Sequence, residues 1–295
     1  MTAAINLGVP HPTGYPLYTM IAHLFTLLPG TERAWSVNLL SATTAALAIG
    51  ILFWAAYQRI AAQEGATGTI ALVAAWSAAG LCAFGALLWS QAIIAEVYSL
   101  NALVVAMALV VMLSGSPRMR PYLLTLLFGL GLAHHITVVL LLPALWPYMS
   151  AARKWLTVPR SLQIGLCLLP GLLTYLYIPI RAGTHPVPNW GQADHFSGLA
   201  WLVSGAAYRQ YLDPGSPAHL LQRLSAWAGI WVRDLGVLGL ALAFLGLWRG
   251  LETDRQFTRF GLTYVVLLTG YAMLYRTSDS CLLYTSPSPR DRTRS

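Results

Sequence analysis

Residues 122–148, YLLTLLFGLGLAHHITVVLLLPALWPY, run for 27 positions without one Asp, Glu, Lys or Arg. Water cannot dissolve an exposed helix of that composition. A hydrocarbon core of about 30 Å is crossed by about 20 apolar residues, so one such run is already long enough to span a bilayer. The pattern repeats along the chain, with further apolar runs at 36–57, 69–89, 96–113, 162–180, 235–248 and 260–275. Within lipid every backbone N–H and C=O must be paired inside the protein, which leaves α-helices or closed barrels. Runs this long and this continuous specify helices. The expected fold is therefore all-α, a polytopic transmembrane helix bundle of about seven or eight spans forming a single domain over residues 1–280.

Composition agrees: charged residues make up 9% of the chain and mean hydropathy is +0.60, against about 25% charged residues in an average soluble domain. The net charge of +8 lies in short groups between apolar runs, so it reads as a topology signal and excludes a nucleic-acid partner. With residues 8–18 placed outside, nine Lys and Arg fall in inside loops (Arg59, Arg118, Arg120, Arg153, Lys154, Arg160, Arg249, Arg255 and Arg259), while the short outside loops hold Arg33 alone. This register requires the 122–148 run to cross twice, as two short helices meeting at His134–His135; one tilted span is the alternative. In a bacterium the host membrane would be the inner one, with the outside facing the periplasm. Cys82, Cys167 and Cys281 have neither disulfide nor metal spacing, and no cofactor is implied; a divalent metal stays undetermined.

Two segments do not cross. Residues 16–28 are apolar but only about 20 Å long as a helix, which suits an interfacial position. The polar region 181–233 contains FSGLAWLVSGAAYRQYL, amphipathic and also interfacial. Both ends read as truncated: the chain starts just before its first motif, and residues 281–291, CLLYTSPSPRD, match the translation of a sequencing-library adapter, so 281–295 are expected to be non-native.

Residues able to do chemistry are few, and the register above puts them on one face. In GVPHPTGYPLY the prolines fix φ and Gly14 permits a tight turn, which serves a helix entry or a stiff loop presenting His11 and Tyr15 to a ligand. Glu96 is the one acid between Glu64 and Asp194; at a span edge it either complements a helix N-terminus or contacts substrate. His134 and His135 interrupt an apolar run, as a structural pair or facing a cavity, and without further ligands they do not specify a metal. Arg181 either snorkels to headgroups or offers its planar fork to a phosphate. His185 and Trp190 follow it in THPVPNWG, together with Asp194; Trp190 is a belt residue or a platform for a sugar ring.

Taken in order, HPTGYPLY, WSVNLLSA, WSQAIIAEVYSLNAL, GLGLAHHITVVLLLP, YLYIPIRAGTHPVPNWG and SGAAYRQY resemble the membrane family catalogued as domain of unknown function 2723. That family is similar to the vertebrate transmembrane O-mannosyltransferases and, more distantly, to GT-C glycosyltransferases. The resemblance implies a GT-C-like bundle that moves a sugar from a polyprenyl-phosphate donor in the bilayer to a protein or glycan acceptor on the outer side. His11, Tyr15, His134, His135, Arg181, His185 and Trp190 would then bind substrate, with Arg181 on the phosphate and Glu96 orienting sugar or acceptor. The family's acidic stretch before HPxGYP has no counterpart here, so the main base is expected upstream of Met1. A transporter or flippase of lipid-linked sugars, or a non-catalytic scaffold, is the competing expectation.

Overall fold

The computed structural model describes residues 1–63, 65–114, 116–151, 156–213 and 215–275; Arg153, Lys154 and the segment 281–295 lie outside them. The chain is a polytopic bundle of α-helices, and the described residues contain no strand beyond two isolated bridges. Its helices are α1 (Thr2–Asn6), α2 (Pro16–Phe25), α3 (Arg33–Ala61), α4 (Gly68–Ala83), α5 (Ala86–Ala92), α6 (Tyr98–Ser114) and α7 (Arg120–Leu132). After a 3₁₀ turn at Ile136–Leu140 come α8 (Leu141–Ala151), α9 (Val158–Leu166), α10 (Leu169–Thr174), α11 (Tyr177–Ala182), α12 (Phe196–Val203), α13 (Pro217–Thr253) and α14 (Arg255–Leu274).

By length and composition, four segments can cross a bilayer unaided: α3, the stacked run α9 to α11 (Val158–Ala182), α13 and α14. Helices α4 and α5 pass only as a pair bent by 65°. The expected 122–148 run is two short helices with the histidines between them. The N–H groups of His134 and His135 both donate to Gly131 O (2.9 and 2.7 Å), and Leu124 of α7 shares a buried cluster with Leu141 and Leu145 of α8. The histidine pair thus sits at the break between α7 and α8, with the 3₁₀ turn packed back on α7 and α8 packed on α14. Within the expected outer region 181–233, the residues from Pro217 onward already belong to a long helix. Ser216 caps α13 by accepting from His219 N–H (3.4 Å), Pro217 starts the helix, and the helix continues through a kink at Gly236 (φ 65°) into the predicted 235–248 span.

Small residues set the interhelical distances, as expected where lipid supplies no hydrophobic drive between helices. Ala71, Ala75 and Ala79 make one buried stripe of α4, and Ala45, Ala48 and Ala55 are buried on α3. Helix α10 crosses α7 glycine to glycine: a Cβ on Gly171 would overlap the carbonyl of Gly129. Two long-range contacts fix the ends of the bundle. Arg59 at the end of α3 pairs with Asp254, which also caps α14 by accepting from Phe257 N–H (3.1 Å). At the other end, Asp234 of α13 accepts from Leu87 N–H (3.1 Å) in the first turn of α5. The first contact gathers basic residues that the charge pattern assigned to one side, and the candidate site occupies the opposite end.

Candidate functional site

The HPTGYP loop is held from three directions. Its lead-in pairs with the second histidine-proline motif: Val9 N–H donates to Pro188 O (2.8 Å) and Trp190 N–H to Val9 O (3.1 Å), a short parallel bridge. From below, YLYIPIRA clamps it. The Tyr177 hydroxyl donates to Gly8 O (2.8 Å), and Arg181 donates through Nε to Leu7 O (2.7 Å) and through Nη2 to Asn6 O (3.0 Å). From the side, Leu17 N–H donates to Ala133 O (3.1 Å) and the Tyr175 hydroxyl to Leu132 O (2.7 Å), tying α2 and α10–α11 to the break at the histidine pair. Gly14, at φ +86°, lies against Ile178 and Leu202, where a side chain has no room. Tyr15 is itself left-handed (φ 36°), a backbone state that costs a non-glycine residue on the order of 1–3 kcal/mol and concentrates at functional sites.

This scaffold presents a continuous group of aromatic rings. Around His11 stand Tyr15 at 5.2 Å, Tyr208 at 6.2 Å and Trp190 at 6.4 Å, all edge-on. His11 Nδ1 and the Tyr208 hydroxyl share a 2.7 Å hydrogen bond. The other face of Tyr15 stacks on His135 at 6.0 Å, and Tyr98 closes on His135 at 5.9 Å. Tyr275 reaches Tyr208 at 6.3 Å and stacks on Tyr271 at 5.3 Å. Burial, followed by the nearby Tyr208, Tyr98, Tyr275 and Tyr271 hydroxyls, raises the Tyr15 phenol well above its ordinary pKa. Such a site is rich in π-faces and hydroxyls, which suits a neutral polyhydroxylated ligand.

The expected residues divide into three sets. His11, Tyr15, His135 and Trp190 meet in the ring cluster. His134 is fully buried beside them, with Nε2 on Val97 O at 2.8 Å and Nδ1 unpartnered, so it braces the loop before α6. Arg181 underlies the cluster with two of its nitrogens engaged on backbone carbonyls. Glu96, exposed on the loop with Val97 just before α6, exchanges backbone contacts with the Ser41 hydroxyl (3.3 and 3.4 Å); burial, followed by the Glu96 charge, pushes Tyr18 up to about 12. His185 lies exposed in the turn after α11, and Asp194 pairs with His195 at 3.6 Å; neither has a ring or ionic contact with the cluster.

More than half of the chain, residues 1–158, matches the family described as the protein O-mannosyl-transferase TMEM260 N-terminal domain. The chain belongs to this family. Among curated relatives it is 35% identical over 193 residues to protein O-mannosyl-transferase TMEM260 of Mus musculus, covering 62% of this chain and 26% of that protein. It is 24% identical over 273 residues to protein O-mannosyl-transferase tmem260 of Dictyostelium discoideum, covering 84% of this chain and 32% of that protein. The chain thus spans about a quarter to a third of the length of these relatives. No solved structure matches it. The likeness to membrane O-mannosyltransferases drawn from the motif order holds at the level of family.

The family match includes His11, Tyr15, Glu96 and the histidine pair, whereas Trp190, Tyr208, Tyr271 and Tyr275 lie beyond residue 158. Sequence reasoning singled out Trp190 of these four and missed the tyrosines. SGAAYRQY was visible as a motif, but its spacing says nothing of a partner at His11. Among the described residues no three His, Cys, Asp or Glu side chains gather in a metal-binding group.

Proposed function

We propose that this chain is the membrane part of a GT-C-type glycosyltransferase that moves a sugar from a polyprenyl-phosphate donor to an acceptor hydroxyl at the face carrying the ring cluster, the outer face. The observation that carries the reading is the meeting of His11, Tyr15, His135, Tyr98, Tyr208 and Trp190 in one rigidly held group. The names of the relatives point to mannose as the sugar and protein as the acceptor. A groove of about 480 Å³ between α3, α6 and α7, lined by apolar residues including Leu47, Trp54, Met107 and Leu127, adds support. Leu127 is eight residues before His135, about 12 Å along a helix, so a donor held at the rings could lay its polyprenyl tail into this groove.

In the transfer, the acceptor oxygen bonds to the anomeric carbon as the bond from that carbon to the phosphate oxygen breaks. The acceptor proton passes to a base, and the phosphate leaves with the bonding electron pair. Tyr15 and Trp190 support the sugar ring; His11 and His135 donate toward the departing phosphate. Arg181 adds positive charge, with Nη1 for direct contact since Nε and Nη2 hold backbone. Glu96 orients the acceptor hydroxyl.

The test uses the full-length protein in vesicles with polyprenyl-phosphate mannose and other hexoses, supplied with protein acceptors. Covalent sugar on the acceptor, reduced by at least tenfold in His11→Ala and Tyr15→Ala, is the expected result. Passage of lipid-linked sugar across the bilayer without transfer would overturn the reading in favour of a flippase, and indifference to both substitutions would leave only a scaffold.

A further inference from the structure

Beside the ring cluster lies an open cleft of about 520 Å³, lined by Asn189, Trp190, Gly191, Gln192 and Trp201. We propose that this cleft is a subsite for a neutral pyranose ring. Its two indoles stay exposed at 47% and 39%, which leaves flat aromatic faces open to a ring in the cleft. Its polar groups are amides, with no carboxylate and no cation in the lining. Flat aromatic faces against C–H bonds, with amide donors and acceptors for neighbouring hydroxyls, match an uncharged sugar rather than a phosphate or a charged peptide.

The cleft is also built to hold its shape. Asn189 Nδ2 donates to Ala182 O (3.1 Å), which fixes the amide, while its Oδ1 is buried without a partner. Gly191 (φ 76°) takes the left-handed conformation freely, whereas Gln192 (φ 44°) holds it at a steric cost, a feature that concentrates at ligand clamps. Their carbonyls press on Gly198 of α12 so closely that no side chain fits there, which sets the position of Trp190 against Trp201. Trp190 is shared: it lines the cleft and also meets His11 at 6.4 Å.

Saccharide binding here stands independently of the transferase reading, which decides only whose sugar is bound: that of the donor or that of a glycan on the acceptor. The chain is placed in lipid nanodiscs free of glycoside detergent and examined by saturation-transfer-difference NMR with methyl manno-, gluco- and galactopyranosides. At least one pyranoside should show transfer to its ring protons, with affinity falling at least tenfold in Trp201→Ala and less in Trp201→Phe, the helical circular dichroism being unchanged. Saturating polyprenyl-phosphate sugar that removes the signal identifies the donor's own ring; a signal that persists identifies an acceptor glycan. Absence of transfer from every pyranoside, or a signal undiminished in both Trp201 variants, overturns the proposal. Should transferase activity fail while the Trp201-dependent signal persists, the subsite stands and the transferase reading falls.

Discussion

The backbone N–H of Trp190 donates to the carbonyl of Val9 at 3.1 Å, and this one bond joins the two histidine-proline motifs of the chain. Neither HPTGYP nor HPVPNWG is a site alone. Held side by side, they put His11 and Trp190 in ring contact and leave the Tyr208 hydroxyl within reach of His11 Nδ1 at 2.7 Å.

Arg181 secures that arrangement through Leu7 O and Asn6 O. Arg181→Met should lower stability by about 2 kcal/mol, the range for hydrogen bonds from a charged donor, read as a fall in melting temperature. Arg181→Lys keeps the charge and loses the fork. It should melt nearly as early as Arg181→Met yet retain more donor binding, if positive charge near the phosphate matters.

Tyr208→Phe removes the hydroxyl on His11 and keeps the ring. Stability should change by less than about 1 kcal/mol, since a net hydrogen bond contributes about that much. Turnover of the full-length protein should fall about tenfold with little change in donor KM, because His11 loses its orientation toward the departing phosphate while Tyr15 and Trp190 still hold the sugar ring.

At the crossing of α10 and α7, Gly171→Ala places a methyl group on the Gly129 carbonyl. Overpacking costs about 1–3 kcal/mol or more where backbone must move. Thermal unfolding should show a loss at the top of that range, and Tyr175, just beyond the crossing, should lose its bond to Leu132 O. Gly165→Ala, with open space around it, serves as the control and should be neutral.

The Tyr15 phenol is favoured neutral in the fold, its pKa raised above the ordinary 10 mainly by burial. A raised folded pKa contributes stability below pH 10, and that contribution is lost as pH climbs past the unfolded value. The wild-type chain should therefore lose stability above pH 10 more steeply than Tyr15→Phe. Phenolate absorbance near 295 nm, compared between the two proteins in the folded state, should show no contribution from Tyr15 below pH 11.

Much of the architecture is legible in local sequence. The uncharged runs specify membrane helices because lipid offers the backbone no other partner. The histidine pair marks the break between α7 and α8, and Pro16 marks a helix start. The structure runs one helix, α13, from Pro217 through a kink at Gly236, across the boundary between the expected outer region and the following span. The role of Arg181 was undecidable beforehand, because an arginine fork satisfies a phosphate and a pair of carbonyls equally well.

What the sequence determined, then, is that this chain is a bundle of membrane helices, a consequence of short-range pattern and the cost of charge in hydrocarbon. Only the tertiary structure decided that Tyr98, Tyr208 and Tyr275 join His11, Tyr15, His135 and Trp190, and that His185 does not. Those rings come from loops and helix ends far apart in the chain. Their convergence depends on close helix crossings at glycine and alanine and on backbone bonds between distant loops, and no periodicity in the sequence encodes either.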